Sequence, residues 1–549
     1  MFLSIIPTLE DLRSMTLATG LFTLLCVIGF GALVAIIRNY YRGLRGSPRE
    51  LWLIITYKFI EYSAYAAMNM VFILWLSADC GLTDIEAGSF ITGWSLALSA
   101  IGMVVGALVD TVGIRRTCLL SVAMLLFSRA VMAFVTDPTW VFILGFLPLA
   151  LGFAIVGPVV SVAIKRYTTK EGAAMGFGLF YVVMNIGYAV GGLGFDAIRG
   201  GFTRTGANGV VNTNAGTDLF GVHFTTYQLF FVFGTAATVV SLLALLPMRE
   251  GVERTEKGIT VTPPVPSGKT ALGTVQQSIM DTGRLIGKVF SEKYFWIFMG
   301  LICLTLFVRF VFFHFHYTFP KYGLRVLGPE AKIGNIYGVL NPVLIVFLVP
   351  IVALVTKKVC SFRMLLIGAS ISATSCFIAL IPPEAFAPLT HSVLGEMIFV
   401  NWLRMAPDAA ALAAAPPTPA YWPLIVFILV FTIGEAIWSP RLMQFSAEIA
   451  PKGRESTYLA LSVLPSFAAK LVVGPLSGIL LHIYTPVDEV TKAVLPHPNH
   501  AMIWFWVGLM ALPTPIGLLL CGKWINRQTK RQEEIQVAEE RAEEETVER

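Results

Sequence analysis

The chain has 549 residues, of which 56% are apolar and only 13% charged, with a mean hydropathy of +0.73. Soluble proteins carry roughly twice that charged share, and no aqueous core of this length takes up so much apolar surface, so the excess must face lipid. A net charge of +6 is small for this length and argues against a nucleic-acid partner. The seven cysteines form no CxxC pair and read as small buried hydrophobes. The histidines lack metal-site spacing, and no nucleophile–base–orienter set is visible, so no metal, cofactor or enzymatic activity is expected.

A bilayer core needs about 20 apolar residues per helix, and long apolar runs must be helical because lipid cannot pair backbone groups. Thirteen runs qualify. The first is Met15 to Ile37. Twelve follow, beginning near Leu51, Ile85, Thr117, Trp140, Ala173, Tyr227, Tyr294, Ile333, Phe362, Tyr421, Thr457 and Ala501, the last ending near Cys521. Glu10 and Asp11 precede the first run and its arginines follow it, the reverse of a signal peptide. Residues 1–50 are therefore an extracytoplasmic N-terminus, an uncleaved accessory helix and a basic connector. Residues 51–246 and 294–521 form two six-helix bundles, joined by a polar linker over 247–293 and followed by a charged tail over 522–549. This is the two-half plan of a rocker-switch transporter.

Loop charge sets orientation. Arg38, Arg42, Arg45 and Arg49, then Arg115 and Arg116, Lys165, Arg166 and Lys170, Lys357, Lys358 and Arg363, Lys452 and Arg454, and Lys523 onward fall on one side. The opposite loop Ser77 to Asp84 has no Lys or Arg, and the exception is the segment with Lys321, Arg325 and Lys332. The basic side is read as cytoplasmic, which places the N-terminus outside and the C-terminus inside, in a plasma or inner membrane. Ser267-Gly268-Lys269-Thr270 in the linker only hints at a phosphate loop, since Pro263 stands where glycine is needed. Val393 to Arg404 suggests a short interfacial helix and Ala409 to Pro419 an irregular loop.

The loop after the third run reads Gly106-Ala-Leu-Val-Asp110-Thr-Val-Gly113-Ile-Arg115-Arg116. It resembles the GxxxDxxGxRR signature of the major facilitator superfamily, in which this cluster latches the inward gate. Glycine permits close helix approach, the aspartate can meet a helix end or an arginine, and the arginines anchor the cytoplasmic face. Phe180-Tyr181-Val-Val-Met-Asn185-Ile-Gly187 resembles the FYxxxNxG motif of the proton-dependent oligopeptide transporters. Leu340-Asn341-Pro342 with Pro350 is similar to that family's eighth core helix. Gly434-Glu435-Ala-Ile-Trp438-Ser439-Pro440, then Ala450-Pro451-Lys452, resembles its tenth. Phe59-Ile-Glu61-Tyr62-Ser-Ala-Tyr65 resembles the end of its first-helix motif, ExxERFxYYG.

The resemblance implies an all-α membrane fold of twelve core helices plus the accessory helix, and proton-coupled solute transport. The departures bear on the solute. Lys58 and Tyr62 stand at the first-glutamate and arginine positions of ExxER, and Gly157 stands where the fourth helix of the family carries lysine before Pro158. In the family those two cations hold the peptide carboxylate.

A charge at mid-bilayer costs at least about 2.5–3.5 kcal/mol, so intramembrane ions are functional candidates: Glu61, Arg309, Glu435 and Lys470, with Lys58 and Arg129 less central. Glu435 and Lys470 lie at similar depth on sequential helices and are expected to pair, with Glu435 as proton carrier. Glu61 and Arg309 suggest a polarity-swapped gate. His314 and His316, two residues apart, point to different helix faces. Tyr62, Tyr65, Asn69, Tyr181, Asn185, Asn341, Glu435 and Trp438 are the expected solute-binding residues. The expected partners are a small peptide-like solute, protons and lipid. A facilitator or exporter of a non-peptide metabolite or drug-like compound, and a transport-inactive scaffold, are the alternative readings.

Overall fold

The structure is a computed structural model that describes residues 16–206, 211–255, 258–261, 293–356, 358–448, 464–488 and 497–522, with a few single positions between them. The Ser267–Thr270 stretch, Ala450-Pro451-Lys452, the charged tail, and the side chains of Gly106 and Asp110 lie outside the described residues.

The apolar runs are helices. The accessory helix is α1 (Leu17–Gly43). The first half contains α2 (Arg49–Ala78), α3 (Asp84–Val112), α4 (Ile114–Phe134), α5 (Pro138–Tyr167), α6 (Lys170–Phe202) and α7 (Thr226–Leu245). The second contains a bent span made of α8 (Lys293–Leu304) and α9 (Leu306–Tyr317), then the short α10 (Phe319–Leu327), α11 (Gly334–Val355), α12 (Ser361–Leu380), α13 (Tyr421–Glu448), α14 (Leu464–Tyr484) and α15 (Met502–Gly522). Eleven described helices are long and apolar enough to cross a bilayer, and the α8–α9 pair, bent by 45°, makes a twelfth. With its 29 residues, α3 is about 44 Å long at 1.5 Å per residue, enough for a thirteenth.

Local chemistry sets the helix starts. Thr83 and Glu86 form a reciprocal cap at α3, with the Thr83 backbone N–H donating to Glu86 Oε2 at 2.9 Å and the Glu86 N–H to Thr83 Oγ1 at 3.3 Å. Thr225 and Gln228 do the same for α7. Pro158, Pro350, Pro440 and Pro475 sit inside spanning helices, where neighbouring helices and hydroxyls can re-satisfy the freed carbonyls.

Within the first half, hydroxyls tie α4 to its neighbours: Tyr57 Oη and Ser121 Oγ are 2.7 Å apart, and Ser121 donates to the Gly152 carbonyl at 2.7 Å. The halves meet along two helix pairs, α3 with α14 and α6 with α11. Glycines make this approach possible. A methyl carbon added at Gly88 would sit 2.3 Å from the Gly474 carbonyl oxygen, and one at Gly192 would sit 2.7 Å from that of Gly334. Small residues of this kind bring helix backbones together in lipid.

Among the described residues these contacts gather on the side that bears Asp84, where polar groups reinforce them. The Asp84 carboxylate takes Lys321 Nζ at 2.7 Å and both terminal nitrogens of Arg325 at 2.7 and 2.9 Å. Lys321 lies on α10, outside the spanning helices, and burial lowers its ammonium to about 8 despite that partner. The Asp196 carboxylate accepts from the Gly334 and Asn335 backbone N–H groups at 2.9 and 2.7 Å, capping the π-helical turn that opens α11. Arg199 donates to the carbonyls of Ala331 and Pro329. The exception in the loop-charge pattern thus has a physical reason: Lys321 and Arg325 are partners of a carboxylate, not free surface cations.

The accessory helix packs on the outside of α6, where Gly178 faces Tyr40 and Gly43 faces Met175. At its other end Thr16 Oγ1 donates to Glu396, beside the short apolar helix Val393–Trp402. Its remaining face, with Leu24, Leu25, Val27, Ile28 and Phe30, is exposed, as a lipid-facing helix requires. One loop expectation is corrected. Part of the Ala409–Pro419 segment is helical, Ala409–Ala414, because alanine is the best helix former and Asp408 caps the turn by accepting from the Ala411 N–H at 2.8 Å.

Candidate solute-binding site

A cavity of about 830 Å³ lies between the halves. The helices meet it at mid-length: α2 supplies Tyr62 and Asn69, α3 Ser99, α6 Tyr181, Asn185 and Tyr188, α9 Arg309 and His316, α11 Tyr337 and Asn341, α13 Glu435 and Trp438, and α14 Ser466 and Lys470. Seven of the eight expected solute-binding residues line it. Tyr65 does not. Its ring stacks on Phe153 at 3.9 Å, behind Tyr62, so it supports the wall without forming its surface.

Glu435 is the acidic group of the cavity wall. Its Oε2 accepts from Asn341 Nδ2 at 2.8 Å, and the same amide nitrogen lies 3.0 Å from Thr432 Oγ1. The expected Glu435–Lys470 ion pair is not formed. Lys470 turns across the cavity and donates to Ser99 Oγ of α3 at 2.8 Å and, more weakly, toward the Ser95 carbonyl at 3.5 Å. Similar depth on two helices fixes height but not azimuth, and α14 presents Lys470 to α3 instead of α13.

The expected Glu61–Arg309 gate is corrected too. Glu61 Oε2 receives Arg129 Nη1 at 2.8 Å, with both side chains fully buried. The same guanidinium donates to the Gly234 carbonyl at 3.3 Å and to Thr238 Oγ1. This ties α2, α4 and α7 together inside the first half, away from the cavity. Arg309 instead donates to the Ser466 hydroxyl. The tie was missed because Arg129 lies nearer the end of its run than Arg309 does.

Lys58 was also underweighted. It is fully buried, its ammonium sits 2.7 Å from the centre of the Phe180 ring and 4.3 Å from that of Tyr62, and it has no hydrogen-bond partner among the described residues. His316 lines the cavity with its Nδ1 donating to the Phe312 carbonyl at 3.0 Å, while His314, buried on another face, meets Thr318 Oγ1 at 2.7 Å. Asn185 donates to the Tyr181 carbonyl one turn back at 2.9 Å, and Trp438 Nε1 donates to Ser372 Oγ at 3.0 Å.

At the other end of the molecule, Gly113 immediately precedes α4 as its N-cap with φ +93°, a conformation suited to glycine. The Glu250 carboxylate lies against Gly113 and accepts from the Arg116 backbone N–H at 3.3 Å. An anion at a helix N-terminus is favourable, and nothing in the motif itself announced it. Arg115 reaches toward the Leu246 carbonyl at 3.5 Å, and nearby Arg249 holds the buried Glu50 carboxylate at 2.7 Å.

The family model of the Major Facilitator Superfamily matches residues 53–461. The chain belongs to the major facilitator superfamily. Solved structures share this facilitator's fold. One is a POT family transporter in complex with a thioalcohol-conjugated peptide, 14% identical with a TM-score of 0.60, covering 88% of this chain and 98% of that one. Another is a POT family transporter in complex with 5-aminolevulinic acid, 14% identical with a TM-score of 0.60, covering 87% and 97%. A third is a bacterial homologue of the human drug peptide transporters PepT1 and PepT2, 15% identical with a TM-score of 0.58, covering 88% and 99%. No curated protein matches the chain by sequence.

Proposed function

We propose that this facilitator is a secondary active transporter of the proton-dependent oligopeptide type, moving a small peptide-like solute by alternating access and driven by protons. The carrying observation is the mid-membrane cavity between two halves whose close contacts gather on the Asp84 side. Such an arrangement supports a state clamped on that side, and the basic loops support assigning the opposite side to the cytoplasm. The membrane is read as a plasma or inner membrane, with α1 entering from outside. The motif resemblance and the POT neighbours' bound solutes support the solute class.

Glu435 and Asn341 suit a solute ammonium, one by charge and the other by holding the carboxylate in place. The same carboxylate suits proton carriage, since it lines the cavity with Tyr181, Tyr337, His316, Arg309 and Lys470 and touches no cation among the described residues. The test is uptake into proteoliposomes of a labelled dipeptide panel and 5-aminolevulinic acid under an inward proton gradient. Uptake should collapse with a protonophore, and Glu435→Gln should abolish accumulation. Accumulation that ignores the proton gradient would indicate a facilitator or exchanger instead.

A further inference from the structure

Arg309 and Lys470 enter the cavity from α9 and α14. Ser466 precedes Lys470 by one helical turn, so the two share a face, and residues so spaced have Cβ atoms about 6 Å apart. Arg309 donates to the Ser466 hydroxyl and thereby stands on the same face as the lysine. Among the described residues the partners of both cations are neutral: the hydroxyls of Ser466 and Ser99, the Ser95 carbonyl and the Phe313 ring. Neither has a carboxylate partner among the described residues, although two charges this deep in a membrane ordinarily find one. Glu435, the acid of the same wall, is occupied with Asn341.

We propose that Arg309 and Lys470 form the acid-binding subsite of the cavity, taking the carboxylate, or an equivalent anionic group, of the transported solute. This rests on the transporter reading and narrows it: the solute is an acid. Among its described residues the first half offers no substitute: Tyr62 and Gly157 stand where the resembled family carries its cations, Lys58 is enclosed by Phe180 and Tyr62, and Arg129 is held by Glu61. An anion at this subsite reaches the guanidinium and ammonium together, and an amine at Glu435 completes a zwitterion within the second half alone. Lys470 also bridges to Ser99 of the first half, so a bound acid competes with a contact that joins the halves.

The experiment uses the purified full-length protein and matched probe pairs. These are alanylalanine against alanylalaninamide, 5-aminolevulinic acid against its methyl ester, and N-acetylalanine against N-acetylalaninamide. Binding is measured by calorimetry and thermal shift. At least one acid should bind about tenfold or more tightly than its neutral partner, equivalent to ~1.4 kcal/mol. Arg309→Gln and Lys470→Gln should each erase that preference, and Arg309→Lys should retain part of it, with unliganded melting temperature reporting the fold. An acid preference that survives both glutamine variants overturns the subsite, as does a panel in which no acid outbinds its partner. If the acids of the panel that bind are not peptides, the subsite stands and the peptide reading falls.

Discussion

Glu61 and Arg129 are both fully buried, so each is tolerable only because of the other. Removing one partner of a buried pair costs about 3–5 kcal/mol, whereas replacing both by apolar side chains of similar size is often neutral. Arg129→Met alone should therefore lower the melting temperature in detergent sharply, and Glu61→Leu with Arg129→Met should recover most of the loss. A charge reversal linking Glu61 to Arg309 should recover nothing, because those side chains do not meet; recovery there would restore the gate expected from the sequence. The sequence made the ionic residues easy to find, since each interrupts an apolar run. It did not reveal their partners. Arg129 is 68 positions from Glu61, and which face of α4 it occupies depends on how three helices pack. The same limit explains Lys470, whose height on α14 was readable but whose direction toward Ser99 was not.

At the scale of elements, the spans were legible because lipid imposes a length and a composition on each. The starts near Leu51, Ile85, Tyr227 and Tyr421 fall within a few residues of α2, α3, α7 and α13. The short helix at Ala409–Ala414 was not, because proline and alanine together suggest irregularity until the Asp408 cap is noticed. The contacts between halves were equally hidden: Gly88, Gly192, Gly334 and Gly474 look like any membrane glycines until their backbones are seen to touch. A side chain added at Gly88, Gly192 or Gly334 meets backbone first, not flexible side chain. Gly192→Val should push α6 from α11 and cost about 1–3 kcal/mol of packing in the Asp84-side-closed state. The measurement is the distance between spin labels on α6 and α11 at that end, which should lengthen; an unchanged distance would mean the interface tolerates the branch elsewhere.

For the whole molecule, two halves with a polar cavity between them and a clamp on one side imply a second arrangement in which the clamp is released. The clamp consists of glycine contacts, Asp84 with Lys321 and Arg325, and Asp196 at the start of α11, all of which join groups that must part together. The most direct measurement is the distance between spin labels at Ser89 of α3 and Ile483 of α14, both exposed on the membrane face of that clamp, in proteoliposomes with and without a transported solute and an imposed proton gradient. The account predicts a short distance without solute and a second, longer population when solute and gradient are present, lost in Glu435→Gln. A single short distance throughout, while solute still accumulates inside, would contradict it.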